Sequence, residues 1–164
     1  MINHKDISVE LNTNWCKSSF KENKYKKIFY TGEIDRYFDY KFGKLGYRSV
    51  KFIHKTYELQ SYQDFTTINY PNEKEYTRIT EFKKLTGQST NYTSIVKEIP
   101  RGEGEPYYPI PTQSNRALYL KYAELARKQK HVTFCGRLGA YKYLNMDQAV
   151  GSGISLALKE INLQ

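Results

Sequence analysis

Residues 132–154 have the sequence VTFCGRLGAYKYLNMDQAVGSGI, in which a short apolar run precedes a basic, tyrosine-bearing loop and a helical pattern. Residues 132–135 predict a β-strand, and Asn145 predicts the N-cap of a helix in which Gln148 reaches back to the cap. The loop between them carries three donors: Arg137, Lys142 and Tyr143. Because the amides and the positive dipole end of a helix attract negative charge, this junction predicts an anion site.

Two helices are predicted in the last third of the chain. Residues 114–129 form an amphipathic pattern with Ser114 as the N-cap, and one face carries Leu118, Tyr122 and Leu125. In the helix that begins at Asn145, apolar residues at helical spacing predict a buried stripe: Val150, Ile154, Ala157, Leu158 and Ile161. Gly151 and Gly153 each cost about 1 kcal/mol relative to alanine, which predicts close packing there against a backbone or a bulky ligand.

The rest of the chain has the character of β-structure. Residues 7–11 alternate between apolar and polar side chains, and residues 27–30 form a second short run. Four β-branched and aromatic runs separated by turn signals then predict an antiparallel meander: residues 48–57, 65–70, 76–82 and 92–99. Together these patterns predict a mixed α/β fold.

Composition bounds the class of protein. The 164 residues carry 26 Lys and Arg against 17 Asp and Glu, for a formal charge of +9, and include 16 tyrosines. Basic residues interleaved with aromatics suit nucleic acid or a nucleotide-sugar, although composition alone favours a plain solvated surface. Cys16 and Cys135 predict free thiols in a reducing compartment. No run approaches the roughly 20 apolar residues of a membrane span, so a soluble cytoplasmic protein is expected.

Motifs for several common chemistries are missing from the sequence. His4, His54 and His131 are dispersed, so neither a nucleophilic triad nor a metal site is predicted. No glycine-rich phosphate loop of the GxGxxG or Walker type occurs. Arg78 lies inside an apolar strand pattern, where its guanidinium either binds an anion or faces outward to solvent. Tyr108, in the stiff segment 106–109, is either a core ring or a ligand contact.

Six ordered blocks resemble the C-terminal half of the UDP-galactopyranose mutase family. They are YTGEIDRYFD at 30–39, GYRSV at 46–50, INY at 68–70, YTRITE at 76–81, EPYYP at 105–109 and GRLGAYKYLNMDQ at 136–148. The resemblance implies an FAD-dependent isomerase that interconverts UDP-galactopyranose and UDP-galactofuranose for cell-surface glycan synthesis. It also implies an N-terminal Rossmann-type segment before Met1. We therefore expect a fragment that is inactive alone and binds FAD weakly or not at all.

The resemblance assigns the chemistry to the cofactor, since N5 of reduced flavin attacks the anomeric carbon and forms a flavin–sugar adduct. No side chain is expected to be catalytic. The implied substrate-binding residues are Arg78, Tyr108, Tyr143, Asn69 and Asn145. The implied cofactor-binding residues are Arg137, Leu144, Met146, Asp147 and Gln148. Neither nucleic acid, membrane nor metal is an expected partner, whereas UDP-galactose and the missing N-terminal half are.

The resemblance also divides the chain and leaves alternatives. Residues 1–45 and 106–164 are expected to complete a flavin-binding domain, and residues 46–105 to form an antiparallel sheet over the substrate cleft. The chain departs from the family pattern at Asn145, where aspartate is usual, and at Phe82 and Gly46, where histidine and proline are expected. Two alternatives stay open: a flavin amine-oxidase-like oxidoreductase and a basic, tyrosine-rich nucleotide- or nucleic-acid-binding module. The oligomeric state is also open, with a homo-oligomer as one alternative.

Overall fold

The computed structural model describes residues 2–14, 25–72 and 74–162, which form a mixed α/β structure. In these residues the elements are, in chain order, β1 (Ile28–Tyr30), α1 (Ile34–Tyr37), β2 (Tyr47–Tyr57), β3 (Thr67–Asn69), β4 (Arg78–Glu81), α2 (Phe82–Thr86), β5 (Thr93–Arg101), β6 (Tyr108–Pro109), α3 (Gln113–Arg127), β7 (Val132–Phe134), α4 (Gly136–Gly139) and α5 (Met146–Ile161). The predicted fold class is confirmed. None of the helices in these residues is long and apolar enough to cross a membrane.

Over the described residues, the larger sheet has five antiparallel strands in the order β3-β4-β5-β2-β6. The strands β3, β4 and β5 follow one another as the predicted meander, but β2 pairs with β5 rather than with β3. The prediction of a simple meander is therefore wrong for β2, and the four strands form a Greek key. The β2–β5 ladder is long, running from Ser49 opposite Arg101 to Tyr57 opposite Thr93. Ile79 on β4 and Ile95 on β5 are both buried.

A buried carboxylate holds the connection between β2 and β3 on this sheet. The Glu81 side chain is fully buried and accepts hydrogen bonds from the Tyr62 amide at 3.0 Å, the Gln63 amide at 3.2 Å and the Thr93 hydroxyl at 2.6 Å. Burial acts to raise the pKa of the Glu81 carboxyl, but these hydrogen bonds outweigh it and lower that pKa. The carboxylate therefore fixes the loop in place through its charged form.

The smaller sheet contains β1 and β7, which pair in parallel. Two core clusters lie around it. In one, Ile34, Leu45, Tyr122 and Tyr141 are buried together. The other consists of Tyr30, Tyr37 and Val132, with edge-to-face contacts among the rings: Tyr30 with Tyr37 at 5.0 Å and Tyr37 with Phe134 at 4.8 Å. The predicted strands at 27–30 and 132–135 are thus confirmed, and α1 and α3 pack against their core.

Three local predictions are corrected by the structure. Residues 7–11 are irregular and exposed, so the predicted strand there is wrong; no described strand lies beside it to complete a ladder. The N-cap of α3 is Thr112, whose hydroxyl accepts from the Asn115 amide at 3.2 Å, because Ser114 already lies inside the helix. Phe82 begins α2 instead of ending β4. Cys135 is a half-buried free thiol, and Cys16 lies outside the described residues.

The predicted buried stripe of α5 is also wrong. Val150, Ile154, Leu158 and Ile161 are 59%, 57%, 55% and 66% exposed, and Ala157 is exposed as well. A Cβ added at Gly151 or Gly153 would meet no atom within 4 Å, so the predicted close packing at those glycines is absent from the described part of the chain. The helix that the periodicity predicts is present, but no described element covers its apolar face.

We expect Glu81→Gln to lower the free energy of unfolding by about 1.5 to 3 kcal/mol at pH 7. The new side-chain NH2 group would face the amides of Tyr62 and Gln63 and the hydroxyl of Thr93, which are themselves hydrogen-bond donors. A lowered pKa means that the native carboxylate stabilises the fold above the unfolded value of about 4.3, and that this contribution is lost as pH falls through the folded pKa. Urea unfolding should therefore show that the free energy of unfolding falls less between pH 7 and pH 3 in Glu81→Gln than in the unsubstituted protein. Glu124→Gln, at an exposed site on α3, is the matched control; equal effects of the two changes would contradict the assignment.

Candidate functional site

The junction between β7 and α5 has the predicted order of strand, loop and helix, with the short helix α4 added inside the loop. Two glycines permit this path. Gly136 has φ +73°, a left-handed conformation that favours glycine. A Cβ at Gly139 would lie 2.6 Å from the Tyr30 carbonyl oxygen, so only glycine lets α4 approach β1 this closely. The loop that follows is therefore held directly against the smaller sheet.

Two tyrosines and an arginine form an aromatic–arginine cluster next to this loop: Tyr108, Tyr143 and Arg137. The rings of Tyr108 and Tyr143 stack with centroids 5.4 Å apart. The guanidinium carbon of Arg137 lies 5.4 Å from the centroid of the Tyr108 ring, within cation–π range. Tyr143 is 64% exposed, so the cluster borders solvent. It offers two phenol hydroxyls and one cation to an incoming anion.

Backbone and helix contacts fix this cluster to the start of α5. The Nε of Arg137 donates to the Leu144 carbonyl at 2.7 Å, and the amide of Asn145 donates to Gln148 Oε1 at 2.9 Å. The predicted Asn145 N-cap with its returning Gln148 is thus present. The amide-bearing first turn of α5 follows directly, with Met146, Asp147 and Gln148 exposed. The structure therefore brings together most of the residues predicted from the resemblance: Arg137, Tyr108, Tyr143, Leu144, Asn145, Met146, Asp147 and Gln148.

Tyr141 connects the loop to the larger sheet. Its hydroxyl donates to the Gly46 carbonyl at 2.6 Å and lies 3.1 Å from the Ile110 carbonyl, which follows β6. The ring is buried between Tyr119, stacked at 5.5 Å, and Tyr47, edge-on at 5.4 Å. Tyr141 has φ +46°, uncommon for a residue with a side chain, and burial raises the pKa of its hydroxyl. The Tyr141 hydroxyl therefore remains a hydrogen-bond donor at neutral pH.

A buried carboxylate lies behind this contact. Asp35 accepts from the Leu45 amide at 2.8 Å and from the Tyr47 hydroxyl at 2.9 Å. Burial and the adjacent Asp35 charge raise the pKa of Tyr47 well above its ordinary value. In the same region the Tyr122 hydroxyl donates to the Gly43 carbonyl at 2.6 Å. These contacts fix the chain between α1 and β2, and so fix the carbonyl that Tyr141 binds.

Arg78 and Asn69, the remaining predicted substrate residues, contact each other rather than the aromatic–arginine cluster. Arg78 Nε donates to Asn69 Oδ1 at 2.9 Å, and its Nη1 lies 3.7 Å from Glu98 Oε1. The arginine side chain is 47% exposed. The sequence pattern allowed Arg78 either to bind an anion or to face outward, and the structure shows it facing outward. Its guanidinium is therefore accessible to an anion.

The sheet register relates Arg78 to the cluster. On β4, Arg78 lies opposite Glu98 of β5, which in turn lies opposite Phe52 of β2. On β6, Tyr108 lies opposite Arg48 of β2. Arg48 precedes Phe52 by four residues on the same strand. Because side chains alternate between faces with a period of two, both rows face the same side of the sheet. Three strand spacings of about 4.8 Å and four residues of about 3.4 Å separate them. A ligand longer than a single phosphate is needed to reach both.

An apolar groove runs beside the cluster. It is lined by Thr31, Pro106, Tyr107, Arg137, Leu138, Met146, Ala149 and Val150. The groove combines largely apolar walls with one guanidinium and lies at the start of a 16-residue helix. This donor set suits a planar ring system that carries negative charge.

Sequence reasoning missed three residues that shape the site: Tyr141, Asp35 and Glu98. In the sequence Tyr141 is one of 16 tyrosines, and its positive φ has no sequence signal. Glu98 falls on the Arg78 row only through the β4–β5 register. Of the histidines, His54 is exposed and stacks on Phe82 at 6.0 Å. Within the described residues, no cluster of three or more His, Cys, Asp or Glu side chains could hold a metal ion.

Comparisons with known proteins point to one family. The family model described as UDP-galactopyranose mutase matches residues 1–143. A Klebsiella pneumoniae protein named probable UDP-galactopyranose mutase is 38% identical over 159 residues, which cover 94% of this chain and 41% of that protein. An Escherichia coli dTDP-fucopyranose mutase is 34% identical, over 96% of this chain and 44% of that protein. The same figures hold for a Mycoplasma pneumoniae UDP-galactopyranose mutase. The chain spans about two fifths of the length of these relatives, in their C-terminal part.

We expect Tyr141→Phe to lower the free energy of unfolding by about 0.5 to 1.5 kcal/mol, since it removes one of two hydrogen bonds to the Gly46 carbonyl, which keeps the Ile110 amide at 3.0 Å. Amide exchange measured by mass spectrometry should accelerate in residues 136–145, because the loop loses one of its attachments to the larger sheet. Tyr119→Phe is the control: its ring stacks on Tyr141, and its hydroxyl makes no hydrogen bond within the described ranges. If Tyr119→Phe accelerates exchange in the loop equally, the hydroxyl of Tyr141 is not what holds it.

Proposed function

The chain belongs to the UDP-galactopyranose mutase family, and we propose that it forms the substrate-diphosphate side of an isomerase that interconverts UDP-galactopyranose and UDP-galactofuranose. The product would serve the synthesis of galactofuranose-containing cell-surface glycans. The observation that carries this proposal is the aromatic–arginine cluster at the start of α5, on the same side of the sheet as Arg78. A nucleoside diphosphate has the length and the charge to engage both.

The contacts of Arg78 support a role at the diphosphate. Its Nε is held by Asn69 at 2.9 Å, which orients the planar fork, while the rest of the guanidinium stays accessible. Cleavage of the sugar–phosphate bond increases negative charge on the leaving diphosphate, and a preorganised guanidinium stabilises that charge as it develops. In this proposal the hydroxyls of Tyr108 and Tyr143 donate to phosphate oxygens from the other side of the cleft.

In this proposal the apolar groove holds the FAD that the resemblance implies. In this proposal Arg137, Leu144, Met146, Asp147 and Gln148 lie against the flavin of FAD, and the positive end of α5 favours the reduced, negatively charged ring. Reduced flavin would supply the nucleophile for the anomeric carbon, so no side chain of this chain needs to attack the sugar. The chain's own residues would bind the diphosphate, orient the sugar and exclude water around it. Asn145 keeps the helix cap without adding a carboxylate.

A second substrate is favoured by one comparison. The dTDP-fucopyranose mutase of Escherichia coli aligns with 96% of this chain, so a deoxythymidine nucleotide-sugar is the competing candidate. The remaining predictions are proposed with the function: a flavin-binding part built from residues 1–45 and 106–164, a substrate part at 46–105, a cytoplasmic location and an open oligomeric state.

The test uses a joined protein in which the part of the Klebsiella pneumoniae relative that precedes its matched portion is fused to this chain. In the presence of FAD and dithionite, the joined protein should convert UDP-galactofuranose to UDP-galactopyranose. Chromatography of the nucleotide-sugars measures this conversion. Preference for dTDP-fucopyranose would select the second candidate. Stoichiometric consumption of reductant would instead indicate an oxidoreductase, and nucleotide binding without conversion would indicate a binding module.

In the joined protein, Arg78→Ala should lower kcat/KM by about 30- to 900-fold, which corresponds to about 2 to 4 kcal/mol of transition-state stabilisation. Arg78→Lys should recover only part of this, because an ammonium group cannot reproduce the planar fork. Arg101→Ala removes an exposed arginine at the end of β5 and serves as the control. Unchanged turnover in Arg78→Ala would remove Arg78 from the site.

A further inference from the structure

Four cations lie on the face of the larger sheet that points away from the proposed cleft. We name them the cation row: Lys51 and Lys55 of β2, and Lys97 and Arg101 of β5. Side chains alternate between the two faces along a strand, and Phe52 and Glu98 share the face of Arg78. Each member of the row is an odd number of residues from Phe52 or Glu98 on its own strand, so the row lies on the opposite face.

The β2–β5 register spaces the cation row evenly. Each member lies opposite an uncharged residue: Arg101 opposite Ser49, Lys51 opposite Ile99, Lys97 opposite Ile53, and Lys55 opposite Ile95. The next member is always the diagonal neighbour on the other strand, and diagonal neighbours are about 7 to 8 Å apart. From Ser49 to Lys55 the ladder advances by about 20 Å, at about 3.4 Å for each residue. The row is therefore an extended line of positive charge.

No exposed carboxylate of the described strands shares the face of the cation row. Glu98 is on the cleft face, and Glu81, which is on the face of the row, is fully buried and accepts hydrogen bonds from the loop before β3. None of the four cations forms an ion pair in the described ranges. Lys97 is half-buried with its Nζ 4.8 Å from the centroid of the Tyr76 ring, and the other three members are exposed. Like charges on neighbouring strands repel each other, and an anionic partner would relieve this repulsion.

The rings beside the cation row separate two kinds of anionic partner. Proteins that bind single-stranded nucleic acid combine cations with rings on which the bases stack. Here the tyrosine rings already have ring partners: Tyr57 with Tyr62 at 5.1 Å, and Tyr70 with Tyr76 at 5.1 Å. A bilayer that contains anionic lipid needs no stacking rings, since its negative surface potential attracts lysine and arginine directly. An exposed line of cations on a sheet face therefore favours a lipid surface.

We propose that the cation row binds the surface of a membrane that contains anionic phospholipid, as a peripheral contact that inserts no segment. The sequence predicts no membrane partner, because the four residues become neighbours only through the β2–β5 register. The contact would point the Arg78 face of the sheet away from the bilayer, so it would leave the proposed cleft open to a nucleotide-sugar from solution. The inference goes beyond the proposed function and does not depend on it.

The experiment measures the partition of the 164-residue chain onto lipid vesicles by sedimentation. The chain should bind vesicles of phosphatidylcholine with about one third phosphatidylglycerol, bind pure phosphatidylcholine vesicles much less, and detach as salt is added. The double variant Lys51→Gln, Lys55→Gln should lower the partition coefficient on the anionic vesicles by about 30-fold, which corresponds to about 1 kcal/mol for each lysine. The control Lys121→Gln, Lys128→Gln removes the same charge from exposed positions on and next to α3, and should lower it by no more than about threefold.

Other outcomes would contradict the proposal. Equal losses in the two double variants would show a general effect of net charge and overturn it, as would equal binding to both types of vesicle. An oligonucleotide that binds the chain more tightly than the anionic vesicles do, and binds Lys51→Gln, Lys55→Gln more weakly, would assign the row to nucleic acid instead.

Two further measurements on Lys51→Gln, Lys55→Gln separate docking from other roles. The thermal midpoint of the variant should be unchanged or higher, because the substitution removes repulsion between neighbouring cations. A lower midpoint would assign the two lysines to the fold and reject the proposal. In the joined protein the variant should keep its kcat/KM in solution, since the row lies on the face opposite the cleft; a loss would place the row in the cleft and reject the proposal as well.

Discussion

The hydrogen bond from the Tyr141 hydroxyl to the Gly46 carbonyl, 2.6 Å long, is the contact on which the candidate site depends. It joins the loop after α4 to the segment that enters β2, and the nearby Ile110 carbonyl brings in the chain that leaves β6. Arg137 and Tyr143 lie on either side of Tyr141 in sequence, whereas Tyr108 comes from β6. It acts together with the Tyr108–Tyr143 ring stack and the hydrogen bond from the Ile110 amide to the Gly46 carbonyl, which join the same distant parts of the sequence.

The two sides of the proposed cleft are built in different ways. The aromatic–arginine cluster rests on buried contacts, since Tyr141 is backed by Tyr47 and through it by Asp35. Arg78 instead projects from an exposed row of the sheet, oriented by Asn69 and near Glu98. Glu98 is a carboxylate beside the group proposed to bind a diphosphate. It reduces the net positive charge that a free nucleotide would meet there, and so opposes tight retention of the leaving group.

Much of the fold was predictable from sequence because its strands have strong local signals. The β-branched and aromatic runs at 48–57 and 92–99 predict β2 and β5, and the apolar spacing of residues 114–129 predicts α3 within two residues. The pairing of β2 with β5 was not predictable, since local patterns carry no information on which strands become neighbours. The N-cap at Thr112 was missed because Ser114, two residues later, satisfies the same preference. The apolar stripe of α5 shows a different limit of sequence patterns. Periodicity indicates which face of a helix is apolar, but it does not indicate whether other residues of the same chain pack against that face. In the candidate site, the motif blocks led to the predictions at Arg78 and Tyr108; Tyr141 also lies in a motif block, but its positive φ and its hydrogen bonds have no sequence signal.

The Greek-key pairing of β2 with β5 has a consequence for how the chain folds. The β3–β4 and β4–β5 ladders connect neighbouring runs of sequence and can form early, each after closure of a short loop. The nine-residue β2–β5 ladder instead closes across residues 58–92 and has the larger loop-closure cost, so we expect it to form after the other two ladders. During that interval the edge of β5, with Ile95 and Val96 still uncovered, is open to pairing with another molecule. The rate at which β2 docks therefore sets how long each newly made chain is exposed to aggregation.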